Sequence, residues 1–205
     1  MGTLRLIAFV VFALTLTSIS SLARQNAAAG GQRGPAAPPM ALTTTAWSDG
    51  SQIPAKYTQA GDQVSPELKW TNTPSGTKSF VLHMHDPDAA LNRGTDDQVH
   101  WLVWNIPSDA MGMPEGVPQG PTLKDGSRQI SASGPQYRGP GAPATGPFHH
   151  YTIEIYAIDT MLDVQPSSNA QPATAAVETR QNVIKAMQGH VLGKAVYVGL
   201  FRRPQ

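Results

Sequence analysis

Three stretches of alternating β-branched and aromatic residues constrain this chain more than any other feature. Residues 79–86 read SFVLHMHD, with Phe80, Leu82 and Met84 on one side and Val81, His83 and His85 on the other. Residues 100–106 (HWLVWNI) and 151–158 (YTIEIYAI) have the same character, and each is bounded by Pro, Gly or Asp. Successive side chains of a strand point to opposite faces, so these patterns specify strands with at least one buried face. Residues 42–47 and 195–201 (AVYVGLF) are weaker strand candidates, while residues 72–76 and 107–120 carry turn chemistry. A helical period occurs over residues 174–188, where Val177, Ile184, Met187 and Val191 form one apolar stripe and Gly189 marks the stop. Many strands with one late helix predict an all-β fold: a two-sheet antiparallel β-sandwich with one or two peripheral helices near the C-terminus.

The amino end reads as an address. Residues 1–5 carry one positive charge, residues 6–16 (LIAFVVFALTL) are almost wholly apolar, and Ser21, Leu22 and Ala23 set small residues where a signal peptidase cuts. The apolar run is shorter than the roughly 20 residues a spanning helix needs. Residues 1–23 are therefore expected to be a signal peptide cleaved after Ala23, which predicts a periplasmic or secreted protein. Residues 24–40 (RQNAAAGGQRGPAAPPM) have no periodicity and are expected to form a disordered linker. One folded domain is then expected over residues 41–205, with no internal repeat.

Composition removes several function classes. The chain has 205 residues and no Cys, which excludes disulfide frameworks, zinc-thiolate sites and cysteine nucleophiles. Lys and Arg number 15 against 14 Asp and Glu, so the basic excess that nucleic-acid binding needs is missing. There is no G-x-S-x-G elbow and no phosphate-cradling Gly-rich loop ending in Lys-Ser or Lys-Thr.

The residues with chemistry sit at strand ends. Asp86 and Asp88 close one strand around Pro87, His100 opens the next, and His149 and Tyr151, two apart, open a third on one face. If those strands are neighbours, Asp86, His100, His149 and Tyr151 converge on one pocket; alternatively the two aspartates only form an Asx turn. His83 and His85 form a His-x-His pair that can present two metal ligands, but spacing fixes no third ligand, so a structural or solvent-facing role is expected. His150 and His190 are expected to be uninvolved. Ser131 and Ser133 lie upstream of His149 without any spacing that specifies a catalytic triad. The Gly- and Pro-rich stretch 139–143 either brings backbone amides to a small anion or forms a rigid corner.

Several segments together resemble the phosphatidylethanolamine-binding protein family, in its bacterial, Raf-kinase-inhibitor-like branch. They are Ser65-Pro66-Glu67-Leu68-Lys69-Trp70, Asp86-Pro87-Asp88-Ala89, His100-Trp101-Leu102-Val103-Trp104-Asn105-Ile106-Pro107, Tyr137-Arg138-Gly139-Pro140, His149-His150-Tyr151, Tyr156-Ala157-Ile158-Asp159 and Gly189-His190-Val191-Leu192. The resemblance implies a sandwich with a small anion pocket for phosphate or a phosphorylated headgroup. It assigns ligand binding to Asp86, His100, Pro143, His149 and Tyr151, with no catalytic residue, no metal and no cofactor. Asp86 would orient a histidine or receive a ligand's ammonium group, while imidazole, the Tyr151 hydroxyl and loop amides would donate to phosphate oxygens. Departures from the pattern at Ala90, Val99 and Ala142 would widen or loosen the pocket. The kinase regulation of eukaryotic relatives does not carry over to an exported chain.

These observations lead to an exported, non-enzymatic binding protein. Its expected partners are a phosphate or phosphorylated headgroup ligand, with peripheral membrane contact allowed, no nucleic acid, and monomer and homodimer both open. Two alternatives belong to other classes: a metal-dependent or hydrolytic enzyme using the Asp and His cluster, and a surface-mediated inhibitor of an exported enzyme.

Overall fold

The computed structural model describes residues 38–205. The expected signal peptide, and residues 24–37 of the expected linker, lie outside the described residues. At the linker's end Met40 is buried in the main core, and the Pro39 carbonyl accepts a 2.9 Å hydrogen bond from the Asn72 side chain.

Two sheets organise the chain. The smaller has the order β1-β3-β6, from β1 (Ala41–Thr43), β3 (Leu68–Thr71) and β6 (Gly112–Met113). The larger has the order β2-β9-β8-β4-β5-β7. Its strands are β2 (Ser51–Gln52), β9 (Val191–Phe201), β8 (His149–Ile158), β4 (Ser79–Ala90), β5 (Asp97–Pro107) and β7 (Arg128–Ile130). Every pairing is antiparallel except that of β2 with β9, where Ser51 lies opposite Gly199 in a parallel pair. The expectation of a purely antiparallel fold fails there. Two residues of edge strand that join β9 from the far end of the chain are under no hairpin constraint on their direction.

The three strong patterns become β4, β5 and β8, adjacent at the centre of the larger sheet. Phe80, Leu82 and Met84 face the small sheet, where the Trp70 ring of β3 lies 5.2 Å from that of Phe80. Ile153, Ile155, Trp101 and Val103 complete this core with no exposed surface. Complete burial of such a side chain is worth roughly 1.5–3 kcal/mol, so the three strands form a rigid platform. The opposite face, with Val81, Val99, Leu102 and Trp104, is covered by α1 (Pro172–Met187).

Local readings need three corrections. Residues 42–47 extend only through Thr43, whereas the last strand begins at Val191, four residues before the weak signal at 195. The stripe expected on α1 matches its packed face only in part: Met187 is buried and Val177 packs against the core, but Ile184 is 48% exposed and Val191 belongs to β9 at 45%. The packed residues are Ala175, Ala176, Thr179, Arg180, Val183 and Met187. Alanines bring the helix close to the sheet, and Arg180 is tolerated there because it pairs with Asp96 and Asp97.

Candidate functional site

β4 ends at the mouth of the core and delivers Asp86, only 3% exposed, beside the start of β8. Asp86 Oδ2 accepts a 2.7 Å hydrogen bond from His149 Nδ1, and Oδ1 accepts one of 3.0 Å from the Asp88 amide. The Asx turn and the site are therefore the same structure: one carboxylate oxygen shapes the backbone while the other fixes a histidine. Because a carboxylate accepts, Nδ1 carries the proton and Nε2 of His149 is left for the cavity.

His100 reaches the same place through a bulge. Met84 pairs with Trp101 and His85 with Val99, which leaves His100 as an extra residue on β5. Strict alternation would send His100 outward with Leu102; the bulge turns it inward, edge-on to the Tyr151 ring at 4.9 Å. The strand also starts earlier than the sequence pattern indicates, at Asp97. The His100 Nδ1–H donates to the Arg138 carbonyl (2.9 Å), and the Arg138 amide returns a 2.9 Å bond to the His100 carbonyl. Burial drives the His100 pKa down to about 4, so the ring is neutral at ordinary pH and its Nε2 is an acceptor.

Tyr151 closes the floor. Its Oη accepts the amides of Gly141 (3.1 Å) and Ala142 (3.0 Å), so of the two readings of this stretch the rigid corner describes these amides, which are turned to the tyrosine. Burial raises the Tyr151 pKa to about 12, with the Asp86 charge acting in the same direction. The loop is held from its other side by Gln59, whose amide and side chain donate to the Pro140 and Gly139 carbonyls at 2.9 and 2.8 Å.

Asp86, His100, Pro143, His149 and Tyr151 thus line one cavity of about 160 Å³, with Pro143 exposed at its rim. Gln59, Gln98 and Arg138 also line it and were not among the candidates. Arg138 stands in the quoted Tyr-Arg-Gly-Pro motif, so a signal for it was present; Gln59 and Gln98 carried none. Gln98 Nε2 and Arg138 Nε are both buried donors without a hydrogen-bond partner. Larger surface grooves of about 510 and 450 Å³ occur elsewhere, but neither gathers buried titratable side chains.

The remaining candidates fall outside this cavity. Ser131 Oγ donates to the Gly134 carbonyl and Ser133 Oγ accepts from Arg138, so neither serine is aligned with His149. His150 pairs with Asp88, and His190 with Asp159, on the exposed surface. Among the described residues, two groups could offer three ligand atoms to a metal: Asp86, Asp88 and His149 at the cavity, and His83, His85 and Glu154 on the opposite face of the sheet. The first group is already committed to hydrogen bonds among its own members.

A profile of the phosphatidylethanolamine-binding protein family matches residues 43–202. The chain belongs to that family. A UPF0098 protein from the archaeon Methanothermobacter thermautotrophicus is 41% identical over 166 residues, covering 80% of this chain and 99% of the relative. The UPF0098 protein YbhB of Escherichia coli is 34% identical over 127 residues, covering 58% of this chain and 78% of the relative. The crystal structure of a phosphatidylethanolamine-binding protein homologue from Chlamydia trachomatis superposes with a TM-score of 0.66 at 27% identity, covering 80% of this chain and 98% of that one. Escherichia coli YbcL, at 22% identity and a TM-score of 0.64, shares the fold over 81% of this chain and 99% of its own. These relatives place the chain in the family's bacterial branch, whose members are in general non-catalytic binding proteins. Of the three departures from the family pattern, only Ala142 lines the cavity; Ala90 is exposed beyond it and Val99 packs into the core under α1.

Proposed function

We propose that this protein is an exported, non-enzymatic binding protein whose cavity holds a phosphate-sized anion, free or as the headgroup of a phosphorylated lipid. The observation that carries the reading is the pair of buried, unpartnered donors, Gln98 Nε2 and Arg138 Nε, in the wall of a cavity that His149 also lines. A buried donor left unmade costs about 1–3 kcal/mol, and an anion whose oxygens reached these donors would recover that cost. At about 160 Å³ the space is below the roughly 300 Å³ of drug-sized sites, which suits a small headgroup rather than a whole lipid. Asp86 neutralises a protonated His149 or receives an ammonium group, so phosphoethanolamine matches both signs of charge. The serines turned away from His149 favour binding over acyl chemistry. Export rests on the apolar run 6–16 and the small residues that end at Ala23, and any membrane contact is peripheral.

The test is an NMR titration of the purified protein with O-phosphoethanolamine near pH 6, beside a His149→Ala variant. Saturable shifts at Gln98, His100, Arg138 and Tyr151, lost in the variant, are expected. Absence of shifts at millimolar ligand would overturn the reading.

A further inference from the structure

The face of the larger sheet opposite the anion cavity carries a second histidine cluster. β4 turns His83 and His85 outward with their rings stacked, 4.4 Å apart and 9° from parallel. β8 sets Glu154 directly across from His83, and β5 brings Asp97 to the other side of His85. The spacing of His83 and His85 fixes no third ligand; strand pairing supplies one.

Three observations single this cluster out. First, His83 is 6% exposed and makes no hydrogen bond through either nitrogen: Nδ1 lies 3.6 Å from Glu154 Oε2, and Nε2 is buried with no partner. Second, Asp97 lies 2.5 Å from His85 Nδ1 and takes its proton as a hydrogen bond, so in the neutral ring the Nε2 lone pair faces the Glu154 carboxylate across 3.9 Å. Two electron-rich atoms held face to face leave a place for a cation between them. Third, one ligand atom from each of His83, His85 and Glu154 lies within 4.8 Å of the others. Tetrahedral zinc with bonds of about 2.0–2.1 Å sets its ligand atoms about 3.3 Å apart, so the 3.6 and 3.9 Å contacts to Glu154 Oε2 need only shorten slightly, while the stacked imidazoles must turn about their Cβ–Cγ bonds to bring both lone pairs onto one ion.

We propose that His83, His85 and Glu154 bind one divalent transition-metal ion of the zinc class, with Asp97 positioning His85. Two imidazoles and a carboxylate form a borderline-hard set suited to zinc, and a carboxylate behind a ligating histidine is the usual second partner. Lys194 holds the far oxygen of Glu154, Oε1, the Tyr156 hydroxyl donates to Oε2, the oxygen that also faces the histidines, and Arg180 pairs with Asp97 and Asp96. With both imidazoles neutral, three carboxylates face two cations, and a divalent ion moves the cluster from one net negative charge to one net positive. The remaining coordination position opens to a cleft of about 400 Å³ beside Gln181, Lys185 and Gln188 of the helix end, wide enough for water or a small ligand. This site is independent of the anion cavity: Asp86 and His149 take no part in it.

The test uses tag-free protein expressed from the full chain, stripped with chelator and titrated with Zn²⁺ by calorimetry. One ion per chain is expected. His85→Gln and Glu154→Gln should each abolish the transition, and Asp97→Asn should weaken it about 10–100-fold. His149→Ala should leave it unchanged, which separates this site from the anion cavity. Cu²⁺ in place of Zn²⁺ gives a readout on the unmutated protein, and its paramagnetic resonance should show two coordinated imidazole nitrogens. No binding by the unmutated protein at about 0.1 mM Zn²⁺, an affinity weaker than about 5.5 kcal/mol, would overturn the proposal. So would binding that survives Glu154→Gln but is lost in His149→Ala, or a copper spectrum with fewer than two nitrogens.

Discussion

His100 makes acid the most informative perturbation of this molecule. The ring is 2% exposed and its folded pKa is lowered by burial from 6.5 to about 4. Above about pH 6.5 both folded and unfolded chains hold it neutral, and it contributes nothing to the pH dependence of stability. As pH falls through 6.5 the unfolded chain takes up a proton that the folded chain refuses until about pH 4, so stability falls with acid across that window. At about pH 4.5 the loss from this residue is about 2.5 kcal/mol, which corresponds to roughly 5–10 °C in melting temperature for a domain of this size.

The assay is urea unfolding near pH 7.5 and near pH 4.5 for the unmutated protein and for His100→Gln. Gln removes the titration; whatever it costs in packing appears at both pH values and cancels in the difference. Burial also depresses the pKa of His83, which weakens both proteins alike on acidification and cancels too. The unmutated protein should lose about 2.5 kcal/mol more between the two conditions than the variant does. Equal losses would show that His100 protonates freely in the folded state, and would refute both its burial and the acceptor role given to its Nε2.

Other consequences can be checked with the same material. Tyr151→Phe strips the shared acceptor from the Gly141 and Ala142 amides and should cost about 1–3 kcal/mol, seen as a lower urea midpoint; an unchanged midpoint would mean the loop does not depend on that hydroxyl. Gly139→Ala would set a Cβ 2.7 Å from the Tyr57 carbonyl oxygen and 2.9 Å from Thr58 Cα, both backbone atoms, and should destabilise by about 1–3 kcal/mol in the same assay. Gly141→Ala meets the flexible Gln59 side chain and should cost less; the reverse order would refute this packing. Arg138→Met should lower affinity for inorganic phosphate at least tenfold, about 1.4 kcal/mol, in an NMR titration.

How much of this was legible in the sequence depended on what kind of rule each feature obeys. The central strands follow a two-residue period, so the division of Phe80, Leu82 and Met84 from Val81, His83 and His85 is correct residue by residue. The same period places His149 and Tyr151 on one face. It fails at His100, because a bulge is a property of the paired strand, and the partner register of β4 with β5 is not written in β5 alone. Glu154 was visible as a lone charge within YTIEIYAI, but its meaning depends on lying across from His83, a long-range fact. On α1 the expected stripe holds at Val177 and Met187 and fails at Ile184, because the packed face relies on Ala175, Ala176 and a paired Arg180, which apolar patterning undervalues. Gln59 and Gln98 are polar residues in unremarkable surroundings, and only the folded chain gives them a shared cavity.

The two cavity histidines are set to opposite tasks by what holds their Nδ1. A backbone carbonyl holds that of His100 deep in the wall, burial keeps the ring neutral, and its Nε2 can only accept. A carboxylate holds that of His149 nearer the mouth; when that ring is protonated, Asp86 balances its charge and Nε2 becomes a donor. Arg138 and Gln98 add donors. Under the proposed function, the ligand that satisfies all of them must accept several hydrogen bonds and also supply one proton. Hydrogen phosphate and phosphoethanolamine do so, whereas sulfate has no proton to give to His100 and would leave its Nε2 unpaired in the wall. Under that proposal, one buried neutral histidine would discriminate between anions of the same size, because discrimination that rests on an unpaired buried polar group is steeper than a difference in the anions' volume provides.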